Sequence, residues 1–174
     1  MHQVLRLHPD CRCEAVSRIA VEIVRPSASV LRLDYIVSGN PDELNLPPFA
    51  APARTDGLWQ HTCFEAFIRP AGGDPYFEFN FSPSTQWAAY RFDRYREGMT
   101  AAEAAAPRID VESAPQRYLL RATLTVPDAG AWRVGLSAVI AQSNGRKSYW
   151  ALAHPPGKPD FHHSDCFALE LPAA

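Results

Sequence analysis

The chain has 174 residues, 47% apolar and 21% charged, a mixture that suits one globular domain (1–174) able to build a core without disulfide or metal staples. Its net charge of −2, with Lys147 and Lys158 the only lysines, gives no general attraction to nucleic acid or to an anionic membrane. The four cysteines (Cys11, Cys13, Cys63, Cys166) match no zinc ribbon or small disulfide scaffold, and MHQVLRLHPD shows no basic-then-apolar leader. The expectation is a cytoplasmic protein with reduced thiols and no membrane span.

Period-two alternation dominates the chain. Residues 18–25 (RIAVEIVR) and 30–37 (VLRLDYIV) read as two strands with Pro26-Ser27 at the turn. A second group follows at 62–69 (TCFEAFIR), 76–82 (YFEFNFS) and 87–93 (WAAYRFD). In the stretch 100–106, Thr100 and Glu103 form a T-x-x-E capping box ahead of alanines, so a short helix is expected, stopped by Pro107. Residues 108–112 add a short strand, and 117–126, 132–141, 148–153 and 166–171 complete a third group. Nine or ten short strands without βαβ alternation predict an all-β fold. The expected form is a two-sheet antiparallel β-sandwich, jelly-roll or immunoglobulin-like, with one short helix. Two long connections, 38–61 and 154–165, carry Pro, Gly, His and aromatic residues; they are expected either to cover sheet edges or to form functional lids.

Strand parity in the middle group places a candidate site. Phe64, Ala66 and Ile68 alternate on one strand and Phe77, Phe79 and Phe81 on the next. A common core then demands Ile68 opposite Phe77 and Phe64 opposite Phe81. The other face carries Glu65 opposite Asn80 and Glu78 opposite Phe67, with His61 just beyond. On the third strand, the cost of burying a guanidinium argues that Ala88, Tyr90 and Phe92 face inward. That register sets Arg91 opposite Glu78 and Trp87 opposite Ser82. The expected polar face is therefore His61, Glu65, Glu78, Asn80, Trp87 and Arg91. It is either a solvated sheet surface or a platform on which carboxylates, an amide and a guanidinium bond hydroxyls while an indole covers an apolar sugar face.

The stretch DGLWQHTCFEAFIRPAGGDPYFEFNFSPSTQWAAYRFDRYREGM (56–99) and the ending SYWALAHPPGKPDFHHSDCFALEL (148–171) resemble the DOMON-like bacterial proteins, relatives of the family 9 carbohydrate-binding modules. The shared pattern is a Trp before a Glu-bearing strand, an aromatic strand closing at an N-F-S-P turn, and a final F-x-L-x-L strand. The resemblance implies a two-sheet sandwich that binds sugar or, across the wider group, haem. It matches Trp59 and Glu65 to the family's Trp and Glu, and Asn80 with Phe81-Ser82-Pro83 to its N-x-x-P element. Phe161 and His163 fall near its terminal ligand-contacting segment, and Trp87 or Phe161 would serve as a second stacking ring.

The residue types also offer other functions. Haem would need axial ligands, for which His154, His162, His163 and Met99 are available. Zinc could use His61 and Cys63 with His162, His163 and Cys166, although H-x-C and H-H-x-x-C are not zinc spacings. Glu65 and Glu78 could sit at glycosidase separation, but an Arg91 opposite Glu78 would keep that carboxylate ionised and unfit as a general acid. Trp59, Phe49 and Phe161 could anchor a protein partner. The reading is a noncatalytic, small-ligand-binding sandwich with carbohydrate as ligand class, no resident cofactor and no catalytic or metal residues. Its ligand-binding residues are Trp59, His61, Glu65, Glu78, Asn80, Trp87, Arg91, Phe161 and His163, and its oligomeric state is open.

Overall fold

The computed structural model describes residues 1–174. Twelve strands follow one another: β1 (His2–Leu7), β2 (Val16–Val24), β3 (Val30–Gly39), β4 (Cys63–Pro70), β5 (Tyr76–Phe81), β6 (Trp87–Phe92), β7 (Thr100–Ala101), β8 (Arg108–Ala114), β9 (Arg117–Thr125), β10 (Trp132–Ala141), β11 (Lys147–Ala151) and β12 (Leu169–Leu171). All pairings between them are antiparallel, as short hairpin-joined strands favour. They form one path, β7-β6-β5-β4-β10-β11-β1-β2-β3-β9-β8, with β12 beside the start of β10. The all-β expectation holds. The sheet is continuous and curved into a half-barrel, with β1 bridging its two arms, where two separate sheets were expected. No helix is long and apolar enough to cross a membrane.

One face of the sheet makes a shared core of 33 buried residues. The β2-β3-β9 arm contributes Ile19, Val21, Leu31, Leu33, Tyr35, Leu120 and Ala122, and the opposing arm Phe64, Ala66, Ile68, Phe79, Phe81, Val134, Leu136 and Ala138. The arms touch directly. The Tyr35 ring lies 5.1 Å from that of Phe64, and its buried hydroxyl donates to the Glu65 carbonyl at 2.7 Å. All four cysteines are free.

The strand-to-strand register expected for β4 and β5 is observed: Phe64 pairs with Phe81, Glu65 with Asn80, Phe67 with Glu78 and Ile68 with Phe77. That for β6 is not. Phe81 pairs with Trp87, Glu78 with Tyr90 and Phe77 with Arg91, one residue away from the expected alignment. A slip of one reverses every side chain of a strand. Trp87 and Ala89 therefore join the shared core, while Ala88, Tyr90 and Phe92 turn to the other face. The argument from arginine burial fails because Arg91 is near the strand end, where its side chain remains 42% exposed and pairs with Asp93.

The helix expected at 100–106 is also absent. Thr100 and Ala101 pair with Arg91 and Tyr90, and the Ala102 amide donates to the Ala89 carbonyl. Completing the ladder beside β6 and burying Ala102 outweighs a weak local helix preference. Only three short 3-10 turns occur, Pro41–Glu43, Leu58–Gln60 and Ser164–Cys166. Strand β1 is not marked in the sequence: HQVLRL runs two polar then two apolar residues, and only its burial in the folded chain alternates.

Candidate functional site

The reverse face of β4, β5, β6 and β10 carries the candidate site. The pleat puts Cys63, Glu65 and Phe67 of β4 there, with Tyr76, Glu78 and Asn80 of β5, Tyr90 and Phe92 of β6, and Gly135 and Ser137 of β10. Eight apolar side chains form a second cluster: Leu58, Cys63, Phe67, Tyr76, Ala88, Tyr90, Phe92 and Phe167. Two long connections roof this face. Leu58, in the 3-10 turn after Gly57, is pressed into the cluster, and the terminal loop brings Phe161, His162 and Phe167. The first connection has a second role upstream of that turn. Residues 50–55 run along the edge of β6 through backbone bonds to Ser84 and Trp87, so edge cover and roof are both present.

Among these rings lies a buried polar floor. Glu65, Glu78 and Asn80 are 2%, 6% and 0% exposed. Glu65 Oε2 accepts from Ser137 Oγ at 3.0 Å, and Glu78 Oε1 accepts from Asn80 Nδ2 at 2.9 Å. Asn80 Oδ1 is buried without a donor. His162 descends from the terminal loop onto Glu78, with Nε2 3.7 Å from Oε2 and Nδ1 2.8 Å from the Tyr76 hydroxyl. Its ring lies edge-on to Phe67 and Phe92, each about 5.0 Å away between centroids. The Tyr90 hydroxyl donates to Asp56 at 2.7 Å on the first connection.

The electrostatics follow from burial. Desolvation pushes both glutamates well above the ordinary carboxylate range. The charge of Glu78 pushes Glu65 further up, while the Asn80 bond and Arg96 partly restrain Glu78. Burial, helped by Arg96, lowers His162 to about 4. The His162–Glu78 contact thus has the spacing of an ion pair without its charges, since both partners are driven towards their neutral forms. The proposed Arg91 partner of Glu78 is on the opposite face, so the case that Glu78 must stay ionised falls with it.

The terminal loop is held to the sheet without backbone hydrogen bonds. Every backbone hydrogen bond made by residues 153–166 closes within the loop or on Phe167. Its attachments are side-chain ones. Asp160 accepts from Tyr95 and from Arg96, the latter at 2.7 Å; His162 meets Tyr76; and His154 contacts the Arg6 carbonyl. Gly135 sets how closely the loop seats, because a Cβ there would stand 2.9 Å from the Cys166 carbonyl oxygen. Gly135→Ala is expected to cost about 1–3 kcal/mol by overpacking and to speed proteolysis within 153–166. Thermal unfolding and a limited-proteolysis time course read both effects, and wild-type protection of the loop in the variant would contradict this seating.

The structure brings together Glu65, Glu78 and Asn80 and separates the remainder. Trp87 is core, and Arg91 faces away from the floor. Trp59 stands 51% exposed beside the anchored Leu58, and His61 is exposed at the end of the same turn. Phe161 packs at the rim near Tyr149, with centroids 6.2 Å apart. His163 caps the turn at Ser164 and faces Tyr95, so its neighbour His162, weighed only as a metal or haem ligand, is the histidine at the floor. No three His, Cys, Asp or Glu side chains gather as a metal ion would require. Tyr76, Tyr90, Ser137 and Asp56 were not anticipated. Correct parity on β6 would have shown Tyr90, whereas nothing local marks Ser137.

No protein-family model matches the chain, and no curated protein does. Solved structures do. A "putative carbohydrate-binding protein" from Bacteroides uniformis aligns at TM-score 0.65 and 14% identity, over 95% of this chain and 83% of its own. A family 9 carbohydrate-binding module from Caldicellulosiruptor kristjanssonii in complex with cellotriose aligns at TM-score 0.57 and 13% identity, over 90% of this chain and 74% of its own. A family 9 module from the same organism in complex with glucose gives 0.51 and 14%, over 80% and 69%. At these identities the chain is similar in fold to carbohydrate-binding modules of family 9.

Proposed function

We propose that this chain is a noncatalytic binder of a small polyhydroxylated ligand, with carbohydrate as the ligand class, on the roofed face of β4, β5 and β6. The observation that carries the reading is the buried polar floor of Glu65, Glu78 and Asn80 within an aromatic wall, closed over only by connections. Polar groups at such a floor bond hydroxyls, and the exposed indole of Trp59 at the rim offers a stacking surface for a sugar ring. Two solved structures of similar fold are modules in complex with cellotriose and glucose, which supports the same class. Retaining hydrolysis needs one ionised carboxylate beside a protonated one. Here both carboxyls are buried, bonded to Ser137 and Asn80 and covered by His162, so neither is open to attack an anomeric carbon.

A panel of neutral mono- and oligosaccharides, glucose and cellotriose included, tests this by thermal shift and calorimetry. A bound sugar at a hundred times its Kd adds about 2.7 kcal/mol of stability. Trp59→Ala is expected to weaken that sugar about tenfold or more, roughly 1.4 kcal/mol, without lowering the melting temperature of the free protein. A panel with no binder, or a sugar indifferent to Trp59→Ala, removes respectively the function or the stacking role.

A further inference from the structure

Three features of the floor point to a more specific ligand. First, the titratable side chains around it are, apart from His162, acids with no cation bonded to them. Glu65, Glu78 and Asp56 face the site from β4, β5 and the first connection, and their hydrogen-bond donors are all neutral: Ser137, Asn80 and Tyr90. Second, nearby cations are otherwise engaged. Arg96 is held by Asp160, Arg69 lies over the Phe167 ring at 4.3 Å, and Arg91 is on the opposite face. Third, and independently, Asn80 Oδ1 is fully buried with no donor. An orphan buried acceptor costs free energy until a donor reaches it. Asn80 Oδ1 therefore lacks a donor, and neither floor carboxyl has a cationic side chain at hydrogen-bond distance.

We infer that the floor formed by Glu65, Glu78 and Asn80 is a site for a ligand bearing a protonated amine, an amino sugar in the terms of the function proposed above, on which the sugar part of this inference rests. An ammonium group supplies up to three donors and a positive charge. Bound over Glu78, it would occupy the space now held by the neutral His162 ring, bonding Glu78 Oε2 and Asn80 Oδ1. The loop that carries His162 has no backbone tie to a strand, so it can lift away without breaking the sheet. Entry of the cation ionises the adjacent carboxyl: the O–H bond of the acid breaks, its electron pair stays on the carboxylate, and the proton leaves to buffer. A ligand carrying a carboxylate finds no free cation to pair with, and it is repelled by whichever neighbouring carboxyl is ionised.

Four probes, glucose, glucosamine, glucuronate and ethanolamine, are measured by titration calorimetry at pH 7 in two buffers of different ionisation enthalpy. Glucosamine is expected to bind about tenfold or more tightly than glucose, the ratio a charge-assisted hydrogen bond of roughly 1.5 kcal/mol provides, and glucuronate more weakly than glucose. Glucosamine binding should release up to one proton to buffer, and Glu78→Gln should bring the glucosamine-to-glucose ratio close to one. Glucose binding with no preference for the amine, or with glucuronate equal to glucosamine, overturns this inference and leaves the carbohydrate reading standing. Ethanolamine binding with no sugar bound keeps the amine site and removes the carbohydrate reading. Silence from glucosamine and ethanolamine overturns this inference, and silence from all four probes and from the oligosaccharide panel overturns both.

Discussion

Raising the pH from 5 to 9 is expected to destabilise the protein by on the order of 3 kcal/mol or more, an effect centred on Glu65 and Glu78. Both carboxyls bind their protons more tightly in the folded chain than at the ordinary value of 4.5, because burial removes water from the charged form. Over the interval between the unfolded and folded values the native state holds more protons. Stability is then complete below 4.5 and is lost as the pH rises through the folded values. His162 acts in the opposite direction. Lowered from 6.5 to about 4, it makes the native state proton-poor between those values, so its contribution grows with pH and offsets part of the carboxyl loss. Between pH 6.5 and the folded carboxyl values of about 7 and 8 the offset has ended, and the fall should be steepest there before it levels off. Each pKa unit on each carboxyl is worth about 1.4 kcal/mol, which is why two displaced groups outweigh one histidine. Urea unfolding at pH 5, 7 and 9 measures the slope. The Glu65→Gln, Glu78→Gln double variant, isosteric and uncharged, should be nearly flat across the alkaline half of that range. A wild-type protein equally stable at pH 5 and pH 9, or a double variant that keeps the full slope, contradicts a neutral floor.

The legibility of the sequence was uneven for physical reasons. Alternation is a local signal, so β2, β3, β4, β5 and β9 were readable within a residue or two. The β4–β5 register followed from matching two runs of core residues, Phe64-Ala66-Ile68 and Phe77-Phe79-Phe81. Strand β6 is apolar on both sides, because one side meets the core and the other meets the roof. Its parity therefore rested on a single arginine, and Arg91 sits where a long side chain can reach solvent from either face. The roof was beyond reach for another reason. That His162 folds back over the same face as Leu58 depends on contacts more than 80 residues apart in sequence, as between His162 and Tyr76, with no periodic pattern behind them. A run of buried carboxylates read from sequence as a solvent-facing platform is, in three dimensions, an interior surface.

Trp87→Ala is expected to cost about 3–5 kcal/mol of stability, while Arg91→Ala changes stability by about 0.5 kcal/mol or less. The two residues were grouped by sequence as partners on one exposed face, and the structure does place them on one face of β6, but the core-facing one. Trp87 is 6% exposed within the shared core. Its backbone pairs with Phe81 and accepts the Thr55 amide, and the Arg54 guanidinium covers its ring at 4.4 Å. Arg54 in turn donates to the Ala89 and Ala102 carbonyls, tying the first connection and the β7 segment to β6. Removing the indole leaves a cavity and withdraws the surface on which Arg54 rests, so the loss comprises both transfer and packing terms. Arg91 is largely solvated, and its partner Asp93 is 61% exposed, a pairing of the kind that contributes little. Chemical denaturation of both variants measures the contrast. The opposite ranking, with Trp87→Ala near wild type and Arg91→Ala strongly destabilised, requires the other register of β6. That register would return Tyr90 to the core and take one wall off the proposed site.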